Sequence, residues 1–190
     1  MFRNRWVMLI GAVVVVGLVA WGSRRGPLGG PATVIDLIQL LPQADRRSVP
    51  EPVDQAIRGV TVTIVGESKS CILERAHGRI TFRLTPPPSA WFTASLAVDP
   101  SAWDKEGDGV LFRLGVSGTG MEYEELLNQH LDPAANKSER RWVPVAIDLS
   151  AWAGREINLI LSTNASVPGR TDDLRNDLAL WCTPALVSGR

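Results

Sequence analysis

Residues Arg141–Thr163 read RWVPVAIDLSAWAGREINLILST. Val143, Val145, Ile147 and Leu149 fall at every second position, so they share one face of an extended segment. Asp148, Ser150 and Gly154 then supply turn chemistry, and Ile157, Leu159 and Leu161 resume the alternation. The stretch therefore predicts a strand, a corner plugged by Trp152, and a second strand. A sheet face this apolar has to be covered by another layer.

The same period of two recurs on both sides. Val60, Val62 and Ile64 alternate with Thr61 and Thr63; Cys71 and Leu73 form a short run; Ile80, Phe82 and Leu84 alternate with Thr81 and Arg83. Pro86-Pro87-Pro88 interrupts the chain before Phe92, Ala94, Leu96 and Val98, and Asp108-Gly109 precedes Val110, Phe112, Leu114 and Val116. Leu178–Val187 is a last run, with Trp181 on the face opposite Leu180 and Cys182. About eight short strands separated by turn residues predict an all-β antiparallel jelly-roll sandwich. Two helices are expected besides. Val34, Leu37, Ile38 and Leu41 form one stripe of an amphipathic helix over Ala32–Leu41, capped by Thr33 and ended by Pro42. Glu122–Leu131, rich in helix formers, reads as a helix inside the sandwich.

Ahead of this domain, Trp6–Ser23 is uncharged and apolar on every face. As a helix it spans roughly 27 Å, close to the hydrocarbon thickness of a bilayer. Trp6 and Trp21 at its ends suit the two interfaces. A cleaved signal peptide is the rival reading, since Arg3 and Arg5 precede the apolar run. Ala20-Trp21-Gly22 is a poor cleavage site, which favours an uncleaved anchor. The expected organisation is a membrane anchor over residues 1–25, a linker with a short amphipathic helix over 26–54, and the sandwich over 55–190. The lipid bilayer is thus one expected partner, through Trp6–Ser23. The arginine excess points to a bacterial source, and the expected place is the inner membrane, single-pass, with the sandwich on the outer, periplasmic side.

The chain carries 20 basic and 20 acidic residues. Four of the arginines flank the apolar run, which leaves the rest acidic overall and excludes the basic footprint of a nucleic-acid binder. Cys71 and Cys182 are the two cysteines. They stand either as a disulfide, which the chain-entropy relation values at roughly 4–5 kcal/mol for so long a loop, or as buried free thiols. The anchor permits an oxidising side and favours the bridge.

No catalytic set emerges. His77 and His130 are the only imidazoles, and neither lies in a nucleophile motif. Ser117 falls short of a nucleophile elbow because Thr119 replaces its second glycine. A paired-carboxylate hydrolase would need Asp108 and Asp177 to converge across a cleft. Asp104, Glu106 and Asp108 open like a calcium loop, but Gly115 stands where the bidentate acid belongs; Asp172, Asp173 and Asp177 could complete a cation site only by folding nearby. A solvated Asp-Gly turn is the simpler reading. Of the tryptophans, Trp103 and Trp142 sit beside turns, next to Asp104 and Arg141, and are the candidates for stacking on a sugar.

The ordered series Asp108-Gly109-Val110-x-Phe112, Asp132-Pro133, Arg140-Arg141-Trp142, Asp148-Leu149-Ser150-Ala151-Trp152-Ala153-Gly154, Asn176-Asp177-x-Ala179-x-Trp181 and Pro184 resembles galactose-binding-like jelly rolls, in particular carbohydrate-binding β-sandwich modules of bacterial membrane and envelope proteins. The resemblance covers roughly residues 55–187. It implies a non-catalytic glycan-binding role and, in some members, a structural calcium ion. The chain departs from the pattern at Leu178, where an aromatic residue is usual. Together these readings predict a membrane-anchored module that binds envelope carbohydrate, or positions a glycan-processing partner, through Trp103, Asp108, Arg140, Arg141 and Trp142. The alternative is a structural or protein-interaction module of a membrane complex.

Overall fold

The computed structural model describes residues 33–165 and 173–188. The anchor predicted over Trp6–Ser23 lies outside the described residues, and so does Asp172 of the alternative cation set. Among the described residues no helix is long and apolar enough to cross a membrane.

Two antiparallel sheets face each other. The first contains β1 (Thr33–Asp36), β3 (Ile57–Ile64), β4 (Glu67–Arg75), β6 (Ala90–Val98), β9 (Val143–Asp148) and β11 (Leu178–Ser188). The second contains β2 (Asp45–Ser48), β5 (Gly78–Leu84), β7 (Val110–Gly118), β8 (Met121–Leu131) and β10 (Ile157–Asn164), in the order β2-β5-β10-β7-β8. Strand β11 is the spine of the six-stranded sheet. It pairs with β6 along one side, and with β4 and then β1 along the other. The segment Arg141–Thr163 crosses between layers: β9 edges the six-stranded sheet, and β10 is central in the five-stranded one. Trp152 is buried in the 3-10 turn at the corner, as its position predicts.

The core follows from the alternation. Ile72, Phe92, Leu96 and Trp181 from one sheet meet Ile80, Phe82, Phe112, Leu114, Leu159 and Leu161 from the other. The Trp181 ring packs edge-on to Phe112 and Phe92, with centroids 5.2 and 6.4 Å away. Its Nε1 donates to Glu74 Oε2 at 2.7 Å. Glu74 is fully buried, and burial pushes its carboxyl up to about 8 against the smaller opposing effect of that hydrogen bond. A neutral carboxyl is therefore the form that suits the core at moderate pH.

One expected helix is absent and the other is shortened to a single turn. Glu122–Leu131 belongs to edge strand β8, paired with β7 from Val110↔Leu131 to Gly118↔Met121. Pairing with β7 overrides the local helix preference of Glu and Leu there. Ala32–Leu41 gives strand β1, then only four helical residues in α1 (Leu37–Leu40), capped by Asp36 rather than Thr33. The region read as a linker thus supplies β1 and β2, one strand to each sheet, as well as helix α2 (Val53–Ala56).

Candidate functional site

Beyond the main core, the sandwich has two outward faces and a loop end. The outward face of the six-stranded sheet carries a second apolar cluster: Ile64, Cys71, Leu73, Ala97, Leu180 and Cys182. Cys71 and Cys182 sit opposite each other on β4 and β11 and form a disulfide. Trp103 and Trp142 pack against this cluster. Trp103 Nε1 donates to the Val98 carbonyl at 2.9 Å. The Arg140 guanidinium lies 5.7 Å from the centroid of that indole, donates to the Trp103 carbonyl at 2.7 Å, and pairs with Asp104 at 2.8 Å. Lys69 stands over the Trp142 ring at 5.4 Å. Cations on indole faces in this way contribute about 0.5–2 kcal/mol. Three of the predicted ligand residues, Trp103, Arg140 and Trp142, thus come together, but as the cover of an apolar cluster with a cation on each ring. Arg141 is exposed and donates to Ser138 of its own loop.

Asp108 lies at the loop end instead. Its turn into β7 needs Gly109, whose φ is +85° and whose Cβ would meet the Leu131 carbonyl. His130 Nε2 donates to the Asp108 carbonyl at 2.8 Å, and Asn164 Nδ2 donates to His77 Nδ1 at 3.4 Å. Asp177 is buried nearby, and its Oδ2 has no hydrogen-bond partner among the described residues. Burial, and then the charges of Asp108 and Asp173, push its carboxyl up to about 8. Asp173 is the contrary case, held at about 2 by Arg175.

The weak calcium candidates Asp104, Glu106 and Asp108 do not assemble, in keeping with the solvated-turn reading. Asp104 turns to Arg140, and Glu106 accepts from Arg175 at 2.8 Å. Both carboxylates are spent on guanidinium groups, and among the described residues no three His, Cys, Asp or Glu side chains converge to hold a metal ion. A hard cation needs six to eight oxygens, so these residues do not fit one. Asp108 and Asp177 do approach each other, yet Asp177 is only 3% exposed, which is burial rather than a substrate cleft.

The feature missed from sequence is the outward face of the five-stranded sheet. A groove there is lined by Arg79, Arg113, Ser117, Tyr123, Ile160 and Ser162. Strand alternation places each of them: Ile80 and Phe82 point into the core, so Arg79 and Thr81 point out. Ile160 is 3% exposed although it faces outward, and it forms the floor. Tyr123 is 44% exposed and forms a wall. Its ring occupies the space above Gly115, where any Cβ would collide with it. An open aromatic ring beside hydroxyls and guanidiniums, over an apolar floor, has the chemistry to take a sugar's apolar face and its hydroxyls together.

No protein-family model matches the chain. The M60 catalytic domain with the CBM51-1 and CBM51-2 domains from Clostridium perfringens ZmpB superposes with a TM-score of 0.53 at 15% identity, over 76% of this chain and 14% of that one. The β-sandwich fold is what the two have in common. The CBM51 from Clostridium perfringens GH95, solved in complex with methyl-galactose, has a TM-score of 0.47 at 16% identity, over 75% of this chain and 87% of that one. At these identities no residue role transfers. An uncharacterized protein of Archaeoglobus fulgidus is 39% identical over 101 residues, which are 53% of this chain and 24% of that protein. The chain thus matches about a quarter of that relative's length.

Proposed function

We propose that the protein is a non-catalytic carbohydrate-binding sandwich held at the cytoplasmic membrane by Trp6–Ser23. In this reading the sandwich lies on the outer side, where the disulfide is stable, and binds envelope glycan or positions a glycan-processing partner. The observation that carries it is the groove of Tyr123, Ile160, Ser117 and Ser162 on the five-stranded sheet. The fold likeness supports it, since the Clostridium perfringens protein carries two CBM51 domains beside a catalytic one.

A glycan array probed with the full-length chain tests the reading. Tyr123→Ala is expected to weaken any bound glycan about tenfold, the loss of one aromatic contact and its buried area. Trp103→Ala is expected to retain binding. Loss in Trp103→Ala but not in Tyr123→Ala would move the site to the six-stranded sheet. A wild-type chain that retains no glycan, yet captures one stoichiometric protein partner, would reject carbohydrate binding altogether.

A further inference from the structure

The register of the five-stranded sheet sets five residues in one row across its outward face. Arg47 of β2 stands opposite Arg79 of β5, Arg79 opposite Ser162 of β10, Ser162 opposite Arg113 of β7, and Arg113 opposite Asn128 of β8. Neighbouring strands are about 4.8 Å apart, so the backbone positions of the three arginines span about 15 Å. Two of them are balanced inside the protein. Arg47 pairs with Asp45 at 2.9 Å, and Arg113 pairs with Glu125 on β8. Arg79, exposed between them, has no acidic partner among the described residues. It is the uncompensated charge of the row, and it lines the same groove as Tyr123 and Ile160.

Like charges on adjacent strands repel. A sheet that sets Arg47 directly opposite Arg79 and still leaves Arg79 unpaired gains from an anion supplied from outside. The fork of a guanidinium suits a planar or tetrahedral oxyanion better than a sugar hydroxyl. We infer that the groove selects anionic sugars, the acid group seated on Arg79 while the ring packs over Ile160 against Tyr123. This rests on the carbohydrate-binding reading and names the ligand class within it. Arg113 is already paired with Glu125, which leaves Arg79 as the guanidinium of the groove for the acid group.

The test is a calorimetric titration of the full-length chain, kept in mild detergent, with three oligosaccharides of equal length: neutral hexose, hexuronate and sulfated hexose. The hexuronate or the sulfated form is expected to bind about tenfold tighter than the neutral form, the worth of one charge-assisted hydrogen-bonded pair. The two anionic arms identify which acid group is preferred, and either preference supports the inference. Arg79→Gln, at an exposed position, is expected to erase that preference, so that the neutral and anionic forms bind it alike. Equal affinity for neutral and anionic forms would overturn the inference and leave glycan binding standing. Inorganic sulfate binding as tightly as the sulfated sugar would also overturn it, since the row would then be a plain anion site. Failure of all three oligosaccharides, with array binding also absent, would remove the carbohydrate-binding reading itself.

Discussion

On the outward face of the six-stranded sheet, Arg140 and Lys69 stand over the rings of Trp103 and Trp142. On the outward face of the five-stranded sheet, Arg79 and Tyr123 line one groove, and no cation sits on the tyrosine ring among the described residues. The residue types are alike and the outcomes differ. What separates them is the layer beneath. The first face has Cys71, Leu73, Leu180 and Cys182 to hide, so its aromatics are drawn down as cover and its cations are consumed in holding them. Among the described residues the second has Ile160 beneath its arginines rather than such a cluster, so its aromatic ring stays open. Aromatic and cationic residues therefore mark a ligand surface only where no apolar cluster below competes for them.

The largest effect should come from the core that both faces share. Glu74 has a folded-state carboxyl raised to about 8 by burial, and Asp177 is raised to about 8 by burial and its neighbouring acids. In the unfolded chain both titrate near the ordinary carboxylate value. The folded state thus holds more protons between those limits, so stability is highest below the unfolded value and is lost as pH rises through about 8. Denaturant midpoints measured from pH 5 to pH 9 should fall steadily for the wild type. Glu74→Gln keeps an acceptor for Trp181 Nε1, removes the charge, and should flatten the Glu74 part of that slope. A slope unchanged in Glu74→Gln would show that the core carboxyl does not ionise on unfolding. Because Glu74 lies between the sheets, its ionisation should disturb both faces together.

The disulfide separates them. It bridges residues 111 positions apart beneath the tryptophan cover. Its reduction, or the Cys71→Ser and Cys182→Ser pair of changes, should cost about 4 kcal/mol of stability. Below the melting transition, Tyr123 fluorescence and glycan affinity should be unmoved, since the groove lies on the other sheet. Loss of binding at temperatures where the reduced chain remains folded would join the two faces and break the contrast between them.

The fold was legible where the period of two was clean. Val143 to Leu161 placed two strands and the Trp152 corner, and Ile80-Thr81-Phe82 announced which side of β5 faces the core. The groove was not legible, for one physical reason. Met121–Leu131 holds Glu, Leu and Gln, residues that favour a helix in isolation, and the edge of a sheet recruited it as β8. Read as a helix, Tyr123 could not be set above Gly115, nor Glu125 beside Arg113. The arginine row was hidden as well, because register is a property of pairing and not of any single segment. Trp103, Arg140 and Trp142 do lie close together, as cover of the second apolar cluster. Their burial depended on the disulfide-centred cluster, which becomes visible only when β4 and β11 are laid side by side.

The smallest effect tests the cover itself. Trp142 packs on the second cluster under Lys69, and its Nε1 is buried without a hydrogen-bond partner among the described residues. Trp142→Phe removes that unpaired donor and keeps an aromatic face for the lysine. The freed donor offsets part of the lost ring area, so stability should change by less than about 1 kcal/mol in either direction. Trp142→Ala should cost more, about 2–3 kcal/mol, because the half-buried cluster opens to water and Lys69 loses its partner. Thermal unfolding of the two variants separates these contributions, and glycan affinity at the groove should be the same in both. A Trp142→Ala chain as stable as the wild type would mean that the indole does not seal the cluster, and Trp142 would then return to the surface as a ring free to meet a ligand.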